Sequence, residues 1–142
     1  MAAELLRRGA YVELDLGGHS DPDVIAYSRD RTRTVQIKVK AKGIRSKQVP
    51  GWQWNLKHAR QARDAPGNKY LVLVDLAPVQ PDYYICQLNL IAQRVLRNHK
   101  DFLNRHRGSR PRTPESQHTL IPLEAVYKGR EAWEQLDVLG KY

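Results

Sequence analysis

The chain has 142 residues, 41% of them apolar, and a formal net charge of +9 at pH 7. That length suits one domain with a real core, and the apolar content, with three Trp and seven Tyr, argues against disorder. The charge predicts a polyanionic partner, nucleic acid above all, with an anionic membrane surface and an acidic protein as rivals.

No apolar run approaches the length of a membrane span, and no signal-peptide pattern opens the chain, so a cytoplasmic (intracellular) protein is the simpler expectation. The one cysteine, Cys86, forbids an intrachain disulfide and sits in an apolar strand-like run, where a buried hydrophobe is the expected role.

Ala2 to Arg8 reads as a short helix closed by Gly9, and Tyr11 to Leu14 as a first strand. Gly17-Gly18 opens a turn toward His19 and Asp21-Pro22-Asp23. Val24 to Tyr27 and Thr34 to Lys40 then read as a β-hairpin around the polar turn Ser28 to Arg31. In its second strand Val35, Ile37 and Val39 share one face, while Gln36, Lys38 and Lys40 share the other, because the side-chain period of a strand is two.

Gly43 to Gly51 is a basic loop. Trp52-Gln53-Trp54 leads into a helical pattern from Leu56 to Arg63, stopped by Asp64-Ala65-Pro66-Gly67. The two Trp would share a side if extended; packing against the sheet is favoured over stacking on bases. Tyr70 to Val74 is a continuous apolar run, as in a strand covered on both faces, and Tyr83 to Cys86 is the next strand.

Leu88 to Arg105 carries an apolar stripe at helical spacing, with Arg94, Arg97, Lys100 and Arg105 elsewhere on its surface. About 107–117 is expected to be a mobile basic loop, whose Arg107, Arg110 and Arg112 could clamp DNA. Thr119 to Leu123 suits a short edge strand, since Pro122 argues against a central one. The stretch from about 130 to 139 predicts a terminal amphipathic helix. The five histidines have no close zinc spacing, so no structural metal is expected.

Pro22-Asp23 at the mouth of one strand and Gln36-Ile37-Lys38 in the next resemble the PD-(D/E)xK nuclease superfamily, with Gln in place of Glu. The superfamily includes restriction endonucleases and archaeal-type Holliday junction resolvases. The resemblance implies a single-domain α/β restriction endonuclease-like fold, with a central mixed β-sheet flanked by helices. It further implies a metal-dependent nuclease that binds DNA and hydrolyses phosphodiester bonds. In that reading Asp23 binds Mg²⁺ (or Mn²⁺), Gln36 and the Ile37 carbonyl assist, and Lys38 positions the attacking water.

A second register matches Ile37-Lys38-Val39-Lys40, making Lys40 the catalytic lysine and placing Lys38 where a metal ligand belongs. Both registers keep the same face. The resemblance also implies a Glu early in the first helix, and Glu4 does not match it. Either the start is truncated or the protein does without that carboxylate. These features support the alternative of a catalytically inactive nucleic-acid-binding or assembly module on the same fold. By analogy alone, a homodimer is an expectation.

Arg29, Arg31, Arg33, Lys42, Arg45 and Lys47 flank the candidate site and are read as nucleic-acid-binding residues that track phosphates. The bland alternative is a solvated strand face with Asp21 and Asp23 as turn residues.

Overall fold

The alternation in β-branched and polar residues around Ile37 sets the plane of the whole molecule. The computed structural model describes residues 1–15, 22–43, 51–108 and 116–140. The chain runs α1 (Ala2–Arg7), β1 (Tyr11–Leu14), β2 (Val24–Tyr27), β3 (Thr34–Lys42), β4 (Gly51–Asn55) and α2 (Leu56–Ala62). It continues as β5 (Lys69–Asp75), β6 (Asp82–Gln87), α3 (Leu88–Arg105), β7 (His118–Pro122) and α4 (Leu123–Val126). Five strands form one mixed sheet in the order β1-β2-β3-β5-β6, and β4 pairs with β7 in a separate two-stranded sheet.

β1, β2 and β3 are an antiparallel meander, with Val24 opposite Ile37 and Tyr27 opposite Thr34. β5 lies parallel to β3, Lys38 beside Leu71 and Lys42 beside Asp75. A parallel neighbour needs a crossover, and here the crossover contains β4 and α2. β6 returns antiparallel beside β5.

The sheet separates two cores. On one face Val35, Ile37, Val72, Val74 and Ile85 pack with Leu5 of α1 and with Trp133 and Leu136 near the C-terminus. On the other, Leu71 and Leu73 pack with Ala59 and Ala62 of α2, Ile91 and Val95 of α3, and Trp52, Trp54 and Ile121 of the small sheet. Leu71 to Val74 are all buried, as the continuous apolar run predicts for a strand covered on both sides. The result is a single α/β domain with a mixed sheet flanked by helices.

The polar turn between β2 and β3 is built around Asp30, whose carboxylate accepts from the Ser28 hydroxyl at 2.6 Å and from both the hydroxyl and N–H of Thr32. The Ser28 bond leads the causes that hold the Asp30 carboxyl down at about 2. A depressed carboxyl adds stability above its ordinary titration range and loses it as pH falls toward that lowered value.

The terminal helix expected at about 130–139 does not form. The segment instead makes one short 3₁₀ turn, Trp133–Leu136, with Glu131 and Asp137 at positive φ, and a second such turn, Tyr127–Gly129, precedes it. Bonds to the edge of the sheet outcompete the helix. The Glu131 carboxylate accepts from the Tyr83 N–H at 3.0 Å and from the Trp133 indole N–H at 2.7 Å, while the Glu131 N–H donates to the Tyr83 carbonyl.

Trp52-Gln53-Trp54 leads directly into α2 as a strand, and it buries both Trp in the core. The expected edge strand near Thr119 is present as β7. Of the expected loop at about 107–117, 109–115 lie outside the described residues, as do Gly17, Gly18, His19 and Asp21.

Candidate functional site

Asp23 stands where two strands part. β2 begins at Val24, but β3 continues past Ile37 to Lys42, so the far half of β3 has no strand partner on that edge among the described residues. At the fork the Asp23 N–H donates to the Ile37 carbonyl at 3.1 Å. The next inward-facing amide, that of Val39, has no strand carbonyl to meet, and it donates to Asp23 Oδ2 at 2.8 Å. Asp23 Oδ1 holds the Lys38 ammonium at 3.3 Å. Asp23 thus caps an open strand edge, a role that removal would convert into an unpaired amide costing roughly 1–3 kcal/mol.

Lys38, Lys40 and Lys42 form a row on one face of β3, the face that carries Leu71 and Leu73 on the neighbouring strand. The three are not equivalent. Lys42 is neutralised by Asp75 at 2.9 Å, both side chains being only 16% exposed, and its ammonium lies 4.7 Å from the centre of the Trp52 ring. Lys40 is half-buried and has no hydrogen-bond or ion-pair partner among the described residues. Its pKa is pushed down, first by burial and then by Lys38, with Asp23 opposing.

A lysine with a lowered pKa in the folded state binds its proton less well there than in the unfolded chain. The resulting cost is therefore fully present at neutral pH and fades as pH rises from that lowered value toward the ordinary lysine range. Lys40→Met is accordingly expected to raise Tm at pH 7, with the gain shrinking as pH approaches about 10.4. Thermal melts across pH 7 to 10.5 check it, and a gain that does not change with pH would contradict the burial of this charge.

The proposed metal ligands do not fit Mg²⁺ or Mn²⁺ as they stand. Such ions need about six oxygen ligands, with carboxylates supplying the charge. Here both Asp23 oxygens are engaged, one of them by an ammonium, and the Ile37 carbonyl already accepts the Asp23 N–H. Gln36 lies opposite Ile25, one β2 pair beyond the Val24–Ile37 pair from the fork. Among the described residues no group of three or more His, Cys, Asp or Glu is placed to hold a metal ion. Glu4 belongs to α1, which packs on the opposite face of the sheet, and it is tied to Arg7 and Arg8.

The sequence-adjacent cations divide. Arg29, Arg31 and Arg33 sit in the β2–β3 turn, and Arg33 is five strand residues from Lys38, on the order of 16 Å along the strand. Arg33 pairs with Asp137, and Arg31 lies over the Tyr11 ring at 5.5 Å. Arg45 and Lys47 lie outside the described residues. Arg94 donates to the carbonyls of Glu124 and Ala125, so it is spent on closing α4.

Sequence reading missed the cations of α2. Ala59 and Ala62 pin that helix to the lysine-bearing face, leaving Lys57 and Arg60, with Arg63 just beyond it, exposed on the same side of the molecule as Lys38 and Lys40. The signal existed in the three-residue spacing of the cations opposite the alanines, but which sheet face α2 covers depends on the crossover. Cys86 is largely buried and its thiol is pushed up to about 12 by burial, which makes it a poor nucleophile.

No family model, curated protein or solved structure matches this chain. Among the described residues no helix is long and apolar enough to cross a membrane.

Proposed function

We propose that this chain is a DNA-binding domain of restriction endonuclease-like architecture that grips phosphates without using a metal. The observation that carries the reading is the Lys38–Asp23 ion pair, set in a row of lysines on one sheet face. An ammonium neutralises the Asp23 carboxylate at the fork, in the place where a nuclease would need a cation. Lys40, with Lys57, Arg60 and Arg63 of the covering segment, then supplies positive charge to one side of the molecule. A net charge of +9 supports the same partner. Phosphate contacts of this kind give affinity and salt dependence with little sequence preference.

The test is binding to a 20-base-pair duplex in EDTA over a range of salt. Log K is expected to fall steeply with log salt. The Lys40→Gln/Arg60→Gln double variant should reduce that slope by roughly 2, about 0.9 per phosphate contact. Binding that ignores salt, or a slope the double variant leaves unchanged, would sink the proposal.

Hydrolysis is the second reading, favoured by one observation: the half-buried Lys40, with no acceptor beside it among the described residues, lies near Asp23, an environment that tunes lysines for proton transfer. It corresponds to the register in which Lys40, rather than Lys38, is the catalytic lysine. Metal-dependent cutting of supercoiled or branched DNA that disappears in Asp23→Ala would replace the first reading by the second.

A further inference from the structure

A pocket of about 550 Å³ opens between the far end of β3 and the start of β4, lined by Lys40, Lys42, Gly43, Gly51, Trp52 and Gln53 among others. Among the described residues that line it, the charges do not cancel. Lys42 is matched by Asp75, but Lys40 brings an ammonium to the wall with no acceptor beside it among the described residues. A half-buried charge without a counter-ion is unfavourable, and an anion entering the pocket removes that cost. The volume falls in the range of small-molecule sites. Gln53 is exposed between two buried Trp and offers an amide able both to donate and to accept.

We infer that this pocket binds one nucleotide, its phosphate on Lys40 and its base toward Gln53. The inference deepens the DNA-binding reading and rests on it, since it gives the backbone-gripping face a place where a single residue of the strand is held. A free mononucleotide and a nucleotide within a strand present the same phosphate ester, and the two are separated by experiment.

Gly43 supplies a clean block. A Cβ built there meets nothing within 4 Å among the described residues, and the residue is not at positive φ, so Gly43→Leu narrows the pocket without straining the backbone at the end of β3. The experiment titrates the full chain with dTMP, with the single strand (dT)₆ and with a 20-base-pair duplex, in EDTA, by calorimetry. Binding of dTMP or (dT)₆ is expected to fall at least tenfold in both Lys40→Met and Gly43→Leu, at unchanged Tm for Gly43→Leu. Duplex affinity should stay within about twofold in Gly43→Leu, because the outer cations still track phosphates.

If only (dT)₆ responds, the occupant is a strand; if dTMP responds as well, a free nucleotide is sufficient. If neither binds at millimolar concentration, or if Gly43→Leu leaves both affinities unchanged, the pocket is not a nucleotide site. In that case retained salt-sensitive duplex binding leaves the DNA-binding reading standing, whereas loss of all binding in the parent chain overturns both.

Discussion

Lys38→Glu is expected to create a divalent-cation site at the fork, where the Lys38 ammonium now stands. Lys38 faces Asp23 across the fork, with its ammonium 3.3 Å from Oδ1. Side chains on neighbouring strands at such positions start only about 5 Å apart, so a Glu there brings a second carboxylate to the place the ammonium now fills. Without metal, an ion pair is exchanged for a repulsion. Both groups are more than a third exposed, so solvent screening holds the loss to about 1 kcal/mol.

Mn²⁺ should reverse that loss. At ten times its dissociation constant a bound ion adds about 1.4 kcal/mol, which for a chain of this size is a rise in Tm of roughly 4 °C. The parent chain should show no such rise. The measurement is a pair of thermal melts, in EDTA and in Mn²⁺, for the parent, Asp23→Ala, Lys38→Glu and Lys38→Glu/Asp23→Ala. A Mn²⁺ shift in the parent that Asp23→Ala removes would show that the ammonium does not keep metal out, and would revive the hydrolytic reading. No shift in Lys38→Glu would mean that the fork does not bring the two carboxyls together.

Gly51→Ala is expected to be the most destabilising single methyl that can be added near the site. A Cβ at Gly51 would lie 2.0 Å from the Ile121 carbonyl oxygen, a backbone atom that cannot swing aside. Gly51 is also the first rung of the β4–β7 ladder, opposite Pro122. Relieving the clash means separating the two strands and moving Trp52, which is 3% exposed, meets Tyr84 edge-on at 5.4 Å, and donates its indole N–H to the Val74 carbonyl. Overpacking combined with a broken buried contact is worth about 3 kcal/mol or more, a fall in Tm of roughly 10 °C. Gly43→Ala, at the other end of the same connection and in open space, is the control, expected to stay within about 0.5 kcal/mol of the parent. A Gly51→Ala protein that melts with the parent would show that β4 and β7 do not approach so closely.

Local pattern alone determined the strands around Ile37, the continuous apolar run of β5, the long helix α3 and the face shared by Gln36, Lys38 and Lys40. Each depends on a period of two, a period of 3.6 or an unbroken apolar stretch, and these survive folding because burial rewards them directly. The stretch around Trp133 went the other way. Its helical spacing is real, but the edge of β6 offered Glu131 the N–H and the carbonyl of Tyr83, and bonds to a partner distant in sequence defeated the local preference.

The site was legible only in part. Asp23 and Lys38 could be picked out by residue type, but nothing in the spacing says that Asp23 caps the Val39 amide, because that follows from β2 ending while β3 runs on. Nor can a charge run reveal that Lys42 is matched by Asp75 while Arg33 is matched by Asp137. Only the register of β3 against β5 and the course of the chain after β6 decide that, since a residue's counter-ion is set by neighbours in space rather than in sequence. The sequence determined which residues carry the charge; the tertiary structure decided which of those charges are left over, and therefore where an anion has reason to bind.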